Sequence, residues 1–151
     1  MDTAKYKVYT DVSGYQTPGG GTIPADVLVT GDRPDIVIHD NKKMTLNVFE
    51  LTVPYEHNVD RRHTDKLNKY AYMATDITKY KPVIEAFEVG ARGYVSSENK
   101  ARLKKIHGFC KKETTVKQFI ENIAKLAIYG SYHVYLCRNQ TEWATPALLT
   151  V

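Results

Sequence analysis

The chain has 151 residues, of which 42% are hydrophobic and 25% charged, and its formal net charge at pH 7 is +4. This size and composition predict one domain over residues 1–151, with enough apolar side chains for a core. We find no apolar run of about 18 residues and no basic segment leading into an apolar one, so we expect neither a membrane span nor a signal peptide. Cys110 and Cys137 match no zinc or redox spacing, which predicts reduced thiols in an intracellular protein.

The first part of the chain is predicted to be β-rich. Residues 5–9 alternate as a strand does, glycines and prolines over 13–21 predict a loop, and residues 23–29 suit either a short strand or a turn. Two longer strands, at 35–39 and 44–53, are joined by the turn-prone Asp40-Asn41-Lys42-Lys43. Along the second strand, one face carries Leu46, Val48, Glu50 and Thr52. Glu50 therefore replaces an apolar residue on a mainly apolar face.

Helices dominate the second part. Asn58 is the predicted N-cap of a helix that runs to about Lys79 and ends at Lys81-Pro82. Its predicted core positions are Leu67, Tyr70, Ala71, Ala74 and Ile77, and an adjacent stripe holds Arg62, Lys66, Lys69 and Met73. A third long strand at 82–89 precedes a helix at 97–107. Thr114 or Thr115 then caps a last helix that ends between Tyr129 and Arg138.

This order of elements, β-β-α-β-α-α after the first segment, predicts an α/β fold with a mixed β-sheet flanked by α-helices. The core covers about residues 6–107, and a helical extension covers about 114–138. We find no internal repeat, and the tail at 145–147 is predicted to be irregular.

Asp35 and Glu50 form the main chemical pattern, because a hairpin would place them side by side. Two carboxylates and a backbone carbonyl, for which Leu51 is the natural choice, suit Mg²⁺, and Mn²⁺ is an alternative. Such an ion polarises a phosphate and lowers the pKa of a bound water. A nearby cation, Lys66 or Lys69, would orient the water and stabilise developing charge.

These residues resemble a family motif. Pro34-Asp35, the fourteen residues between Asp35 and Glu50, and Glu50-Leu51-Thr52 resemble the motif of PD-(D/E)XK restriction-like nucleases, although Thr52 stands where that motif usually has lysine. In the nuclease domain of site-specific non-LTR retrotransposons the lysine is displaced onto the next helix, and 66–70 (KLNKY) looks like that helix motif. Three further runs resemble segments of retroelement reverse-transcriptase polyproteins, namely 6–11, 22–26 and 85–90.

The resemblance implies a restriction-endonuclease-like core and a metal-dependent endonuclease that nicks target or structured DNA and exposes a 3′-hydroxyl for reverse transcription. Lys66 is the first choice for the displaced lysine, with Lys69 as the alternative. The cysteine-rich knuckle usual in such polyproteins is not found, so the chain is an excised domain, a relic or a stand-alone protein. We expect a DNA partner and a nuclear location, and dimerisation stays open.

Several candidates have a structural alternative. Tyr70 is either a catalytic group or a core aromatic with a satisfied hydroxyl. The predicted DNA contacts, whose alternative is a solvated basic helix surface, are Arg61, Arg62, His63 and Lys69. Glu56 would hold a second metal through water or simply favour the helix dipole.

Glu85 and Glu88 lie on opposite faces of the third long strand, so at most one faces the metal, and exposure at a sheet edge is the simpler expectation. The other histidines show no ligand spacing for zinc: His39, His57, His107 and His133. Two further functions stay open. One is a catalytically inactive DNA-binding relative, and the other is a protein-interaction module in which Glu50 and Lys66 merely form an ion pair.

Overall fold

A computed structural model describes residues 6–10, 23, 27–28, 34–77, 79–109 and 114–139. Its strands are β1 (Tyr6–Thr10), β2 (Ile36–Asp40), β3 (Thr45–Thr52) and β4 (Lys81–Glu88). Its α-helices are α1 (Val59–Tyr70), α2 (Met73–Asp76), α3 (Ser97–His107) and α4 (Val116–Cys137). The predicted loop at 13–21, the tail at 145–147, Arg33 and Cys110 lie outside the described residues, as does most of 23–29.

The described strands form one mixed sheet in the order β1-β2-β3-β4. The first three strands are antiparallel neighbours, and β4 returns parallel to β3 after the α1–α2 connection. A parallel neighbour requires such a crossover, because a short turn only reverses the chain. The prediction of an α/β fold with a mixed sheet flanked by helices is confirmed at this level.

The β2–β3 hairpin sets the register that brings the acidic residues together. Asp40 Oδ1 accepts hydrogen bonds from the amides of Lys42 and Lys43, both at 3.0 Å, and Met44 takes φ +52° to complete the turn. An aspartate that bonds amides two and three residues ahead is a usual turn former. The predicted turn at residues 40–43 is therefore confirmed.

Each face of the sheet packs against a different set of helices. On one face Leu46 and Val48 of β3 pack with Tyr70 and Met73 from the α1–α2 segment. On the other face Phe49 packs with buried residues of β4, α3 and α4, namely Phe87, Leu103, Ile106 and Ala127. The predicted alternation of β3 is thus confirmed, and Glu50 lies on the α1 face.

The predicted long helix from 58 to 79 is wrong in two respects. The helix ends at Tyr70, where Ala71 donates to the Asn68 carbonyl, and α2 is a separate short helix. The tighter turn brings Tyr70 and Met73 to the same buried side, because residues three apart align in such a turn. Ala71 and Ala74, predicted as core positions, are exposed as a result.

The predicted start of this helix is confirmed, because Asn58 is the N-cap residue of α1. A 3-10 turn at Glu56–Asn58 precedes the helix, and the Asn58 side chain makes no capping hydrogen bond. The later helices follow the sequence closely. Helix α3 has the predicted bounds, and Thr115 caps α4 in a capping box with Gln118.

Candidate metal and nucleic-acid site

Asp35 and Glu50 meet across the β2–β3 hairpin. Ile36 is paired with Phe49, so the antiparallel register continued by one residue places Asp35 opposite Glu50. The Asp35 amide donates to Glu50 Oε2 at 3.0 Å. The structure therefore brings together the two predicted acids at the end of the hairpin.

Glu50 is also bound from α1. Lys66 Nζ lies 2.9 Å from Glu50 Oε1, and the Tyr70 hydroxyl donates to the same oxygen at 2.5 Å. Glu50 is only 3% exposed, whereas 29% of the Lys66 side chain is exposed. A carboxylate this buried needs such partners, because an uncompensated buried charge is costly. Lys66 is thus the lysine that contacts the acid pair directly.

Leu51 contributes backbone groups to the same place. Its amide donates to Asp35 Oδ2 at 2.8 Å, so the backbone polar groups of Leu51 face β2. The register places Pro34 opposite Leu51, and proline has no N–H to donate to the Leu51 carbonyl. The predicted third ligand, this carbonyl, therefore projects to the side where the Asp35 carboxylate lies.

The pKa values of the two carboxyl groups are shifted in opposite directions. Burial raises the pKa of Asp35 from 3.8 to about 6; the Leu51 amide opposes this shift, and the negative charge of Glu50 adds to it. Burial also acts to raise the pKa of Glu50, but hydrogen bonds from Tyr70, Lys66 and the Asp35 amide outweigh it and lower that pKa. Near neutrality Glu50 is thus the more firmly ionised of the pair.

The donor set fits a hard divalent cation. Two carboxylates and one carbonyl are the oxygen ligands that Mg²⁺ prefers, with water completing its octahedron. Among the described residues there is no cluster of three or more His, Cys, Asp or Glu side chains that would form an all-side-chain metal site. Any ion here would therefore rely on the Leu51 carbonyl, on water and on phosphate oxygens.

The other predicted site residues occupy different positions around this pair. Lys69 Nζ lies 3.1 Å from the Tyr70 hydroxyl, which in turn donates to Glu50. Arg61 and Arg62 are exposed, and Arg62 lies 3.7 Å from Asp65 on the helix surface. His63 does not lie on that exposed surface, because its ring turns toward the sheet and contacts Glu88.

The other acidic candidates each have a partner outside the Asp35–Glu50 pair. Glu56 is held by Arg92 of the loop after β4, whose amide and Nε lie 2.8 and 2.9 Å from its carboxylate oxygens. Its binding of a second metal through water stays a prediction. Glu85 pairs with Lys105 at 2.6 Å on the α3 face. Glu88 is 1% exposed on the α1 side, so the expectation of an exposed edge residue is wrong for it.

Glu88 is the functional candidate that the sequence analysis considered but expected to be exposed. Its pattern, an acid at the end of an apolar run, is the same signal that singled out Glu50. What the pattern lacks is the identity of the partners, His63 and Arg102, which come from two other elements.

No family model matches this chain, and no curated protein is similar to it in sequence. None of the helices in the described part of the chain is long and apolar enough to cross a membrane.

Proposed function

We propose that this chain is a Mg²⁺-dependent DNA endonuclease with a restriction-endonuclease-like core. The observation that carries the proposal is the convergence of Lys66 from α1 on a carboxylate pair held across a hairpin. A structural ion pair needs one acid, whereas here a second acid with a raised pKa is placed beside the first. Pairs of titratable groups with separated pKa values are typical of active sites.

Each residue has a role in phosphodiester hydrolysis. Asp35, Glu50 and the Leu51 carbonyl would hold the ion, which when bound polarises the scissile phosphate and increases the acidity of water. Lys66 supplies the positive charge that the motif usually places at position 52, which is Thr52 here. The Lys66 side chain is partly exposed, which would let a phosphate or an attacking water approach it. Tyr70 fixes the orientation of Glu50.

The DNA would approach along the exposed part of α1. Arg61, Arg62 and Lys69 are exposed on this helix, and such cations contact phosphates without reading sequence. A DNA substrate implies a nuclear location, and the restriction-like motif is in keeping with a domain of a reverse-transcriptase polyprotein. Dimerisation would allow double-strand cleavage, whereas a single chain would nick.

The test is cleavage of supercoiled plasmid and of a branched oligonucleotide in Mg²⁺, Mn²⁺ or EDTA. The proteins are wild type, Asp35→Ala, Lys66→Ala and Asp60→Ala, the last an exposed α1 carboxylate that serves as the matched control. We expect metal-dependent nicking by wild type and Asp60→Ala, and its loss in the other two. Retained DNA binding without any cleavage would instead favour the inactive relative, and the absence of salt-dependent DNA binding would favour a protein-interaction module.

A further inference from the structure

In addition to the Asp35–Glu50 pair, another carboxylate, Glu88, lies buried on the same side of the sheet as Glu50. Its side chain is fully buried at the end of β4. Oε1 lies 3.1 Å from His63 Nδ1, and Oε2 lies 3.8 Å from Arg102 Nη1 but has no hydrogen-bond partner among the described residues. Burying a carboxylate is costly even when it is paired, and an apolar residue would often be as stable. Glu88 therefore calls for a role beyond folding.

This carboxylate lies close to the proposed metal site. The parallel register pairs Glu50 with Ala86 and Thr52 with Glu88, so Glu88 is two residues further along the neighbouring strand. From the strand spacing and rise, the Cα atoms of Glu50 and Glu88 are roughly 8 Å apart. On α1, His63 and Lys66 are three residues apart, and side chains with that spacing are neighbours on a helix. His63 thus lies beside the Lys66–Glu50 contact.

The surroundings of the His63–Glu88 pair are polar. Thr52 Oγ1 is buried and, like Glu88 Oε2, has no hydrogen-bond partner among the described residues. The two residues are register partners on adjacent strands. Buried polar atoms in native proteins nearly always have hydrogen-bond partners. Two neighbouring buried atoms without a hydrogen bond therefore indicate a place for a polar group from outside the fold.

The geometry orients the His63 ring. When Glu88 is ionised it can only accept a hydrogen bond, and His63 Nδ1 is then the donor in this contact. Nε2 is on the other side of the ring, away from the buried carboxylate, and 21% of the His63 side chain is exposed. The charged groups around the ring are Glu88 of β4, Arg102 of α3 and Lys66 of α1.

We propose that His63 is the general acid of the reaction, held in place by Glu88, and that it protonates the 3′-oxygen that leaves the scissile phosphate. This inference rests on the proposed nuclease function. The water oxygen bonds to phosphorus as the P–O3′ bond breaks, and the electron pair of that bond goes to O3′. For this step His63 is the imidazolium, with a proton on each ring nitrogen. Nε2 gives its proton to O3′, the attacking water loses a proton to solvent, and solvent returns a proton to Nε2. The products are a 5′-phosphate and a 3′-hydroxyl.

The test compares two DNA duplexes that differ in one leaving atom. One has the natural 3′-oxygen at the mapped cleavage position, and the other has a bridging 3′-sulfur, a leaving group that needs no protonation. His63→Asn keeps a donor toward Glu88 but has no counterpart of Nε2. We expect it to slow cleavage of the oxygen duplex at least about 100-fold, the usual size of a general-acid effect, and to leave the rate on the sulfur duplex as in wild type. Both proteins are measured in Mn²⁺.

Arg102→Lys is the control, because it alters the other contact of Glu88 without touching proton transfer. Arg102→Lys should change the cleavage rates of the two duplexes by the same factor. Glu88→Gln should slow cleavage of the oxygen duplex more than cleavage of the sulfur duplex. If His63→Asn slows both duplexes equally, or slows neither, His63 is not the general acid. Such a result would leave the nuclease proposal intact. Failure of wild type to cleave either duplex would overturn the nuclease proposal and this one with it. Should His63→Asn not fold, Glu88→Gln carries the same comparison.

Discussion

The two faces of the sheet are built on different principles. Under α3 and α4 the buried core is apolar and includes Phe49, Phe87 and Leu103, while the ion pair of Glu85 with Lys105 on this face is partly exposed. Under α1 the face starts with Leu46 and Val48 but continues into buried carboxylates, Glu50 and Glu88, toward the end of the strands. The same sheet therefore joins a face that stabilises the fold to one that bears charges the fold does not require.

This difference matters because buried ion pairs seldom increase stability. Removing water from two charges costs several kcal/mol, and their attraction offsets that cost only with good geometry and further hydrogen bonds. The α1 face meets the condition for Glu50 through Lys66, Tyr70 and the Asp35 amide. Such an arrangement suits a preorganised site, whose charged groups are held ready for a ligand. The substitutions below test this contrast between the faces.

The largest expected effect is on cleavage, from Glu50→Gln on the α1 face. We expect a fall of at least about 100-fold in the single-turnover rate, the size found when one preorganised electrostatic contact is removed. Glu85→Gln is the matched control, because Glu85 lies on the neighbouring strand, faces α3 and is bound by Lys105. Its cleavage rate should equal that of wild type. Equal losses in the two variants would mean that the faces do not differ in function.

The opposite result is expected from Leu103→Ala on the apolar face. Leu103 is fully buried, so its truncation should lower the free energy of unfolding by about 2–5 kcal/mol. The measurement is urea unfolding, with exposed Leu126→Ala of α4 as the control. Cleavage per folded molecule should be unchanged. A selective loss of activity in a stable Leu103→Ala protein would contradict the division of roles.

A smaller effect is expected from Tyr70→Phe, which removes one hydrogen bond to Glu50 and keeps the ring in the core. Hydrogen bonds to charged groups contribute about 1.5–3 kcal/mol, and urea unfolding of the metal-free protein measures the loss. Tyr80→Phe is the control, since Tyr80 is a buried tyrosine of the same core. An unchanged stability in Tyr70→Phe would show that the hydroxyl does not hold Glu50.

The smallest effect is a pH dependence of stability that comes from Asp35. Its pKa is 3.8 in the unfolded chain and about 6 in the folded one, so its contribution to stability decreases as pH rises through that range. Glu50, with a lowered pKa, contributes in the opposite direction as pH falls below its ordinary value of 4.5. Asp35→Asn removes the first contribution, and it also alters the second at low pH because the Asp35 side chain helps to lower the pKa of Glu50.

In EDTA, the melting temperature of Asp35→Asn minus that of wild type should therefore be larger at about pH 7 than at about pH 4. These two pH values bracket the titration of Asp35. Thermal melts at both pH values measure the difference, and Asp60→Asn provides the control for an exposed aspartate. A relative gain at the lower pH instead would contradict the raised pKa.

Much of this contrast was predictable from local sequence. The alternation of residues 44–53 predicted that Glu50 shares a face with Leu46 and Val48, the turn residues predicted the hairpin, and Thr114 or Thr115 was predicted to start α4, which Thr115 caps. These features depend on neighbours within a few residues, so short patterns predict them. The family resemblance made Lys66 the first choice, with Lys69 as the alternative, for the cation near the acids, and the structure shows Lys66 in contact with Glu50.

The remainder depends on partners distant in sequence. The burial of Glu88 depends on His63, twenty-five residues earlier, and on Arg102 of α3. The helix break after Tyr70 follows from burying both Tyr70 and Met73, while the local residues favour a continued helix. Tertiary packing decides both features, and no local pattern reports it.

We expect the carboxylate pair on the α1 face to bind a divalent ion rather than merely to form an ion pair with Lys66. Calorimetric titration with Mn²⁺ near neutral pH, on wild type, Asp35→Asn and Glu85→Gln, measures this binding. Wild type and Glu85→Gln should each bind one ion per chain with the same affinity, and Asp35→Asn should lose this binding. Absence of binding in wild type, or equal binding in all three proteins, would show that the pair is not a metal site.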